Sequence, residues 1–226
     1  MSRVQVPLGV LFDLDGTLLD TAPDMVAALN ALRVEEGLPA LPFVQLRSHV
    51  SHGAARLIEV GFECRSGARF EALRRRFLDQ YRSSLCAGTR LFDGLDAVLH
   101  WLESQRIPWG VVTNKPGWLT TPLLAELELA SRAACVSSGD TLPEKKPHPL
   151  PLLHAAALMH REPGCCAYVG DAERDIQAGR AAGMRTCVAA FGYLSEGDDP
   201  SAWLPDAVAA RPSDLLVALG FPGEPA

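Results

Sequence analysis

Three apolar runs in this chain of 226 residues each stop at a polar turn, and this pattern constrains the fold more than any other feature. Val10-Leu11-Phe12 runs into Asp13-Leu14-Asp15-Gly16-Thr17, and Ile107 to Val112 runs into Thr113-Asn114. Cys165 to Val169 runs into Gly170-Asp171-Ala172-Glu173-Arg174-Asp175. Short apolar runs alternating with helix-like segments read as buried strands of a parallel sheet. In an open sheet of that kind ligands gather beyond the carboxyl ends of the strands, where all three polar turns fall.

The first turn also speaks to chemistry. Where strand geometry persists, Asp13 and Asp15 project to one face, and Gly16 opens a turn that a Cβ would disfavour. One carboxylate can attack a substrate while the other moves protons, both beside a cation. Taken alone, the same residues read as a strand-ending turn; likewise Thr113 alone is a polar strand end and Lys146 a solvated charge. Their conjunction favours phosphoryl transfer. Thr113 and the Asn114 backbone amide suit phosphate oxygens, Lys145-Lys146-Pro147 supplies a cation, and Asp171 with Asp175 forms a second acidic turn opening a helix.

On these residues the chain resembles the haloacid dehalogenase superfamily phosphatases. Their four motifs are Asp-x-Asp-Gly-Thr, a Thr or Ser, a Lys, and Gly-Asp-x-x-x-Asp, and all four occur here in order over nearly the whole chain. The resemblance implies an α/β fold: a Rossmann-like parallel sheet of strand order 5-4-1-2-3, formed by residues 1–19 and 89–226, with a helical cap, residues 20–88, inserted after the first strand. It implies Asp13 as nucleophile forming an aspartyl-phosphate and Asp15 as general acid and base. Thr113, the Asn114 amide and Lys146 would hold the phosphoryl group; Lys146 is preferred to Lys145 because Pro147-His148-Pro149 follows it. Mg²⁺ suits an oxygen-rich site, its implied ligands being the Asp13 carboxylate, the Asp15 backbone carbonyl and Asp171. Asp175 would orient a metal-bound water.

The cap is expected to choose the substrate. Ser51-His52-Gly53-Ala54 and Arg56 offer polar contacts and a close backbone approach, though a helix start with a Ser cap and a solvated Arg reads as well. Lys115 and Trp118 stand near the leaving group or, equally, are a solvated lysine and a packed indole. Within the superfamily the chain is similar to the phosphoglycolate phosphatase-like branch. Asp20-Thr21-Ala22-Pro23-Asp24, Ser51-His52-Gly53-Ala54 with Arg56, Trp109 through Pro116 and Phe191-Gly192-Tyr193 resemble the N-acetylmuramic acid 6-phosphate phosphatases of cell-wall recycling. The expected partner is therefore a small phosphorylated metabolite, a sugar phosphate first and 2-phosphoglycolate second, and the expected state is a monomer or homodimer.

Alternatives are weaker. A sugar-phosphate mutase shares the Asp-x-Asp pattern, but needs its phosphoenzyme to outlast reorientation of the sugar. An EF-hand needs Gly where Leu18 stands. A receiver-type signalling module uses an acceptor Asp with Thr and Lys, yet Asp15 as a built-in acid and base favours turnover. No Gly-x-Gly-x-x-Gly follows a strand, so a dinucleotide oxidoreductase gains little.

Composition agrees. With 48% hydrophobic residues the chain can bury a substantial core, and 21 basic against 27 acidic residues give a net charge of −6, which disfavours non-specific nucleic-acid binding. No apolar stretch reaches the roughly 18 to 20 residues a membrane span needs, and the start, Met1 to Pro7, does not lead into a signal peptide. A cytoplasmic location is expected. The six cysteines are irregularly spaced, without a Cys-x-x-Cys pair, and Cys135, Cys165, Cys166 and Cys187 fall in apolar segments as small hydrophobic residues.

Periodicity predicts strands at 4–14, 107–112, 134–136, 167–169 and 186–189. It predicts helices from an N-cap at Thr21 to a stop at Gly37, with Met25, Val26, Leu29 and Leu32 on the buried face, and at 54–60, 69–81, 95–102, 121–127, 150–159 and 175–182. The segment after Gly220 reads as loose.

Overall fold

The computed structural model describes residues 6–222. In chain order its strands are β1 (Gly9–Phe12), β2 (Leu19–Asp20), β3 (Arg90–Leu91), β4 (Trp109–Val112), β5 (Cys135–Ser137), β6 (Cys166–Gly170), β7 (Arg185–Ala189) and β8 (Ala207–Ala209). Helices α1 (Ala22–Glu35), α2 (Phe43–Arg47), α3 (Gly53–Phe62) and α4 (Gly67–Ser83) lie between β2 and β3. After β3 come α5 (Leu95–Ser104), α6 (Gly117–Glu126), α7 (Leu150–Leu158), α8 (Glu173–Ala181) and α9 (Leu215–Ala218).

Six strands form a parallel sheet in the order β5-β4-β1-β6-β7-β8. Numbering only the strands of this sheet, the order is 6-5-4-1-2-3, so the class expected from sequence is present and the expected order differs by a sixth strand at one edge. That strand has three residues and an exposed Val208, too short and too wet to leave a period in the sequence. The first strand begins at Gly9 rather than residue 4; residues 4 and 5 lie outside the described residues, as does the end of the tail from residue 223.

Alternation along the strands splits the core between two faces, as a doubly covered parallel sheet requires. Val10, Phe12, Val111, Ala167 and Val169 face α5, α6 and α9 through Leu99, Leu123 and Leu215. Leu11, Val112 and Tyr168 face α7 and α8 through Leu152, Ala155 and Ala178. The four helices between β2 and β3 bury a cluster of their own, with Leu29, Leu57, Phe77 and Tyr81 at 0% exposure. Full burial of such a side chain stabilises by about 1.5–3 kcal/mol. Met25, Val26, Leu29 and Leu32 are buried as their spacing predicts. Gly61 lets α3 approach α1, since a Cβ there would stand 3.0–3.3 Å from three Leu29 carbons.

The chain leaves the sheet and returns to it through a two-stranded antiparallel ladder, with Leu19 opposite Leu91 and Asp20 opposite Arg90. Buried Asp24 at the start of α1 fastens the return: its carboxylate accepts from the Gly88 amide at 2.6 Å and from the Thr89 amide and hydroxyl at 3.0 and 2.6 Å. Thr21 holds the N-cap position of α1, but its hydroxyl makes no cap bond, because it donates to Asp15 instead. Helix α6 starts four residues before the expected Thr121 and carries Pro122 inside it. Among the described residues no helix is long and apolar enough to cross a membrane.

Candidate active site

Strand β1 ends one residue before Asp13, whose amide continues the ladder by donating to Val169 O at 2.8 Å. The next residues turn sharply. Gly16 has φ +85°, and a Cβ there would strike the Asp171 carboxylate and the Tyr193 ring, so glycine answers both a backbone and a packing demand. Strands β4 and β6 flank β1, so Thr113 and Asp171 leave the sheet on either side of Asp13.

Lys146 arrives from the loop between β5 and α7. Its side chain is 1% exposed, and Nζ stands 2.7 Å from Asp13 Oδ1, 2.8 Å from Asp175 Oδ1 and 2.7 Å from Tyr168 Oη. Asn114 fixes that loop. Its side-chain amide donates to Lys146 O at 3.0 Å and its Oδ1 accepts from Lys146 N at 3.1 Å. Thr113 is buried, and its hydroxyl oxygen accepts from the Lys115 amide at 3.1 Å.

Asp175 spends both oxygens on the protein: Oδ1 on Lys146, and Oδ2 on the Ala172 amide at 3.1 Å, which closes the first turn of α8. Burial pushes its carboxyl up, but Lys146 and Arg174 outweigh it and hold the group below the usual carboxylate range. Asp13 goes the other way, raised by burial that Lys146 only partly offsets. Burial also raises Asp171, with Asp13 and Asp175 adding to it, to about 7.

Asp13, Asp171 and Asp175 each bring one oxygen to within 4.8 Å of the others'. Three buried carboxylates with one pushed to about 7 form a cluster with more negative charge than Lys146 and Arg174 balance, which is the condition a hard cation with oxygen ligands satisfies. These residues therefore fit a divalent metal. The Ser51 hydroxyl, from a 3₁₀ turn (Val50–His52) just before α3, donates to Asp171 Oδ2 at 2.6 Å and lies 3.4 Å from the Asp15 carbonyl oxygen.

Beyond the cluster opens a cavity of about 350 Å³ between the sheet and the inserted helices. Asp13, Asp15, Thr113, Asn114 and Lys115 line it from one side, and Ser51, His52, Gly53, Leu78 and Tyr81 from the other. Arg56 does not join them. It pairs with Glu59 one turn on, at 2.9 Å, as a half-buried helix ion pair. Trp118 is 39% exposed, lies under the Arg82 guanidinium and is not among the residues that line the cavity. Lys115 proves neither solvated nor unengaged: its side chain is 4% exposed and its ammonium reaches Asp15.

Sequence reasoning passed over Arg174, which lines the cavity and donates to Ser51 O at 2.6 Å. Its signal was available, since it stands beside Asp175. Tyr193 carries no role that the sequence assigns. Its amide donates to Asp171 Oδ2 at 2.9 Å, and its hydroxyl donates to Asp20 Oδ1 at 2.6 Å and accepts from the Ala22 amide at 2.8 Å.

A family model for haloacid dehalogenase-like hydrolases matches residues 10–189, from β1 to the end of β7. The chain belongs to the haloacid dehalogenase-like hydrolases. Among relatives of this superfamily member, a phosphoglycolate phosphatase of Xanthomonas campestris is 45% identical over 219 residues, covering 97% of this chain and 99% of the relative. An N-acetylmuramic acid 6-phosphate phosphatase of Pseudomonas putida is 40% identical over 207 residues, covering 91% and 93%. The crystal structure of a predicted phosphoglycolate phosphatase from Haemophilus somnus superposes with a TM-score of 0.82 at 26% identity, over 96% of this chain and 98% of that one.

Proposed function

We propose that this phosphomonoester hydrolase works through covalent catalysis at Asp13, with Asp15 moving the protons. The carrying observation is the placement of Asp13 at the end of the central strand, 2.7 Å from a buried lysine and open to a cavity that Asp15 also lines. An Asp13 oxygen attacks phosphorus as the bond to the leaving oxygen breaks, and Asp15 protonates that oxygen. Asp15 then takes a proton from water as the water oxygen bonds phosphorus and the bond from phosphorus to the Asp13 oxygen breaks, which frees the carboxylate and releases inorganic phosphate. Lys146 balances Asp13 and, with Thr113 and the Asn114 amide, holds the phosphoryl oxygens. Asp13, the Asp15 carbonyl and Asp171 would hold Mg²⁺, which when bound neutralises charge on the phosphoryl oxygens. Asp175, with both oxygens engaged, positions Lys146 and the Asp171 turn.

In this reading residues 20–88 are a cap that covers the substrate, residues 1–19 and 89–226 are the catalytic core, and the enzyme acts in the cytoplasm. Ser51, His52 and Gly53 face the leaving group from the cap. We place N-acetylmuramic acid 6-phosphate first as substrate. A cavity of about 350 Å³ with Met25, Leu78, Tyr81 and Leu119 along its wall suits a sugar better than a two-carbon acid. The second reading, 2-phosphoglycolate, is supported by the relatives at 45% identity. Parallel kcat/KM measurements on the two compounds decide between them. A clear preference for phosphoglycolate rejects the sugar and leaves the chemistry intact.

A further inference from the structure

We propose that Lys115 is the positioning residue for Asp15 and that the inserted helices complete this arrangement through Tyr81, so that the proton-transfer group is held in place only with α1 and α4 packed over it. The inference rests on the reading of Asp15 as acid and base.

Lys115 Nζ stands 2.9 Å from Asp15 Oδ1. That same oxygen accepts from the Thr21 hydroxyl at 2.7 Å, so two donors from different elements fix one carboxylate oxygen. Among the described residues no protein donor reaches Asp15 Oδ2, which leaves it as the oxygen to carry the proton. The lysine is itself fixed at both ends. Its amide donates to Thr113 Oγ1, and its ammonium lies 4.5 Å from the centroid of the Tyr81 ring and 3.9 Å from Met25 Sδ. Met25 and Tyr81 sit on α1 and α4, while Lys115 follows β4. The ammonium thus occupies a slot walled by the inserted helices and floored by Asp15. Tyr81 is 0% exposed and lines the same cavity. A desolvated ammonium over an aromatic face is held more firmly than one in water.

The consequence is chemical. In the first step Asp15 Oδ2 gives its proton to the leaving oxygen as the phosphorus–oxygen bond breaks; in the second the same oxygen takes a proton from the attacking water. Lys115 keeps its protons throughout and acts by keeping Oδ1 out of both transfers. A side chain left to rotate would present either oxygen at variable distance, and misplacement of about 1 Å is costly in a proton transfer.

The test compares leaving groups in Lys115→Met, using rapid-quench rates of phosphoenzyme formation from 2-phosphoglycolate and N-acetylmuramic acid 6-phosphate, which need a proton on the leaving oxygen, and from p-nitrophenyl phosphate, which does not. The loss on the alkyl esters should exceed that on the aryl ester by about thirtyfold, within the span attributed to general acid catalysis, with KM changed less than about twofold. Equal losses on both classes, or an effect confined to KM, would overturn the inference, the second outcome making Lys115 a substrate contact. Tyr81→Leu keeps the lysine and removes the ring. It should show the same leaving-group pattern at about a third of the size on a logarithmic scale, and it carries the test if Lys115→Met does not fold. Asp15→Asn separates the two readings. Wild-type turnover of the alkyl esters by that variant refutes Asp15 as acid and the inference with it, whereas an impaired Asp15→Asn beside leaving-group-independent Lys115 and Tyr81 variants refutes the inference alone.

Discussion

Lys146 Nζ lies 2.7 Å from Asp13 Oδ1 with the lysine side chain 1% exposed, so the proposed nucleophile and its countercharge form one buried unit. The same ammonium reaches Asp175 at 2.8 Å, which ties the unit to the first turn of α8. Removing one partner of such a pair leaves the other buried and uncompensated. Lys146→Met should therefore lose about 3 kcal/mol of stability at neutral pH in urea unfolding. In the fraction that remains folded, kcat should fall at least about a hundredfold. A variant with wild-type stability and activity would show that the pair is dispensable.

Asp171 predicts a trade of function for stability. Its carboxyl is raised to about 7 by burial and by Asp13 and Asp175. A raised acid binds its proton more tightly folded than unfolded, so in metal-free protein its contribution to stability declines as pH rises from about 4, the ordinary carboxylate value, towards 7. Asp171→Asn removes that decline. The melting temperature of the chelator-treated variant should exceed that of wild type above pH 7, while added Mg²⁺ should no longer raise it. A variant less stable than wild type under those conditions contradicts the charge argument.

Gly16 is constrained twice, by φ +85° and by the Asp171 carboxylate and Tyr193 ring that a Cβ would strike. Gly16→Ala should cost about 2 kcal/mol or more and weaken Mg²⁺ binding by displacing Asp171. Calorimetric titration with Mg²⁺ and thermal unfolding report the two effects separately. Unchanged values in both would mean that the turn relaxes at no cost.

Much of this was legible in the sequence because the informative residues sit where local pattern and chemistry coincide. Asp13, Thr113 and Asp171 follow short apolar runs that read as buried strands, and parallel pairing of β1 with β4 and β6 brings them together. The side-chain partnerships were not legible. Thr21 reads as a helix cap, and only the fold puts Asp15 within 2.7 Å of its hydroxyl. Arg56 reads equally as a pocket residue and as a solvated charge, and only the fold shows its pairing with Glu59. Tyr193 lies 22 residues beyond Asp171 in a loop without period, so nothing local announces that it bridges Asp171 to the start of α1.

The central claim is that Asp13 takes the phosphoryl group covalently, and acid-quenching the Mg²⁺-loaded enzyme during turnover of ³²P-labelled substrate tests it most directly. The account predicts a base-labile phosphate on the peptide that contains Asp13, abolished in Asp13→Asn. Steady turnover with no protein-bound phosphate, or label on a different residue, would contradict it.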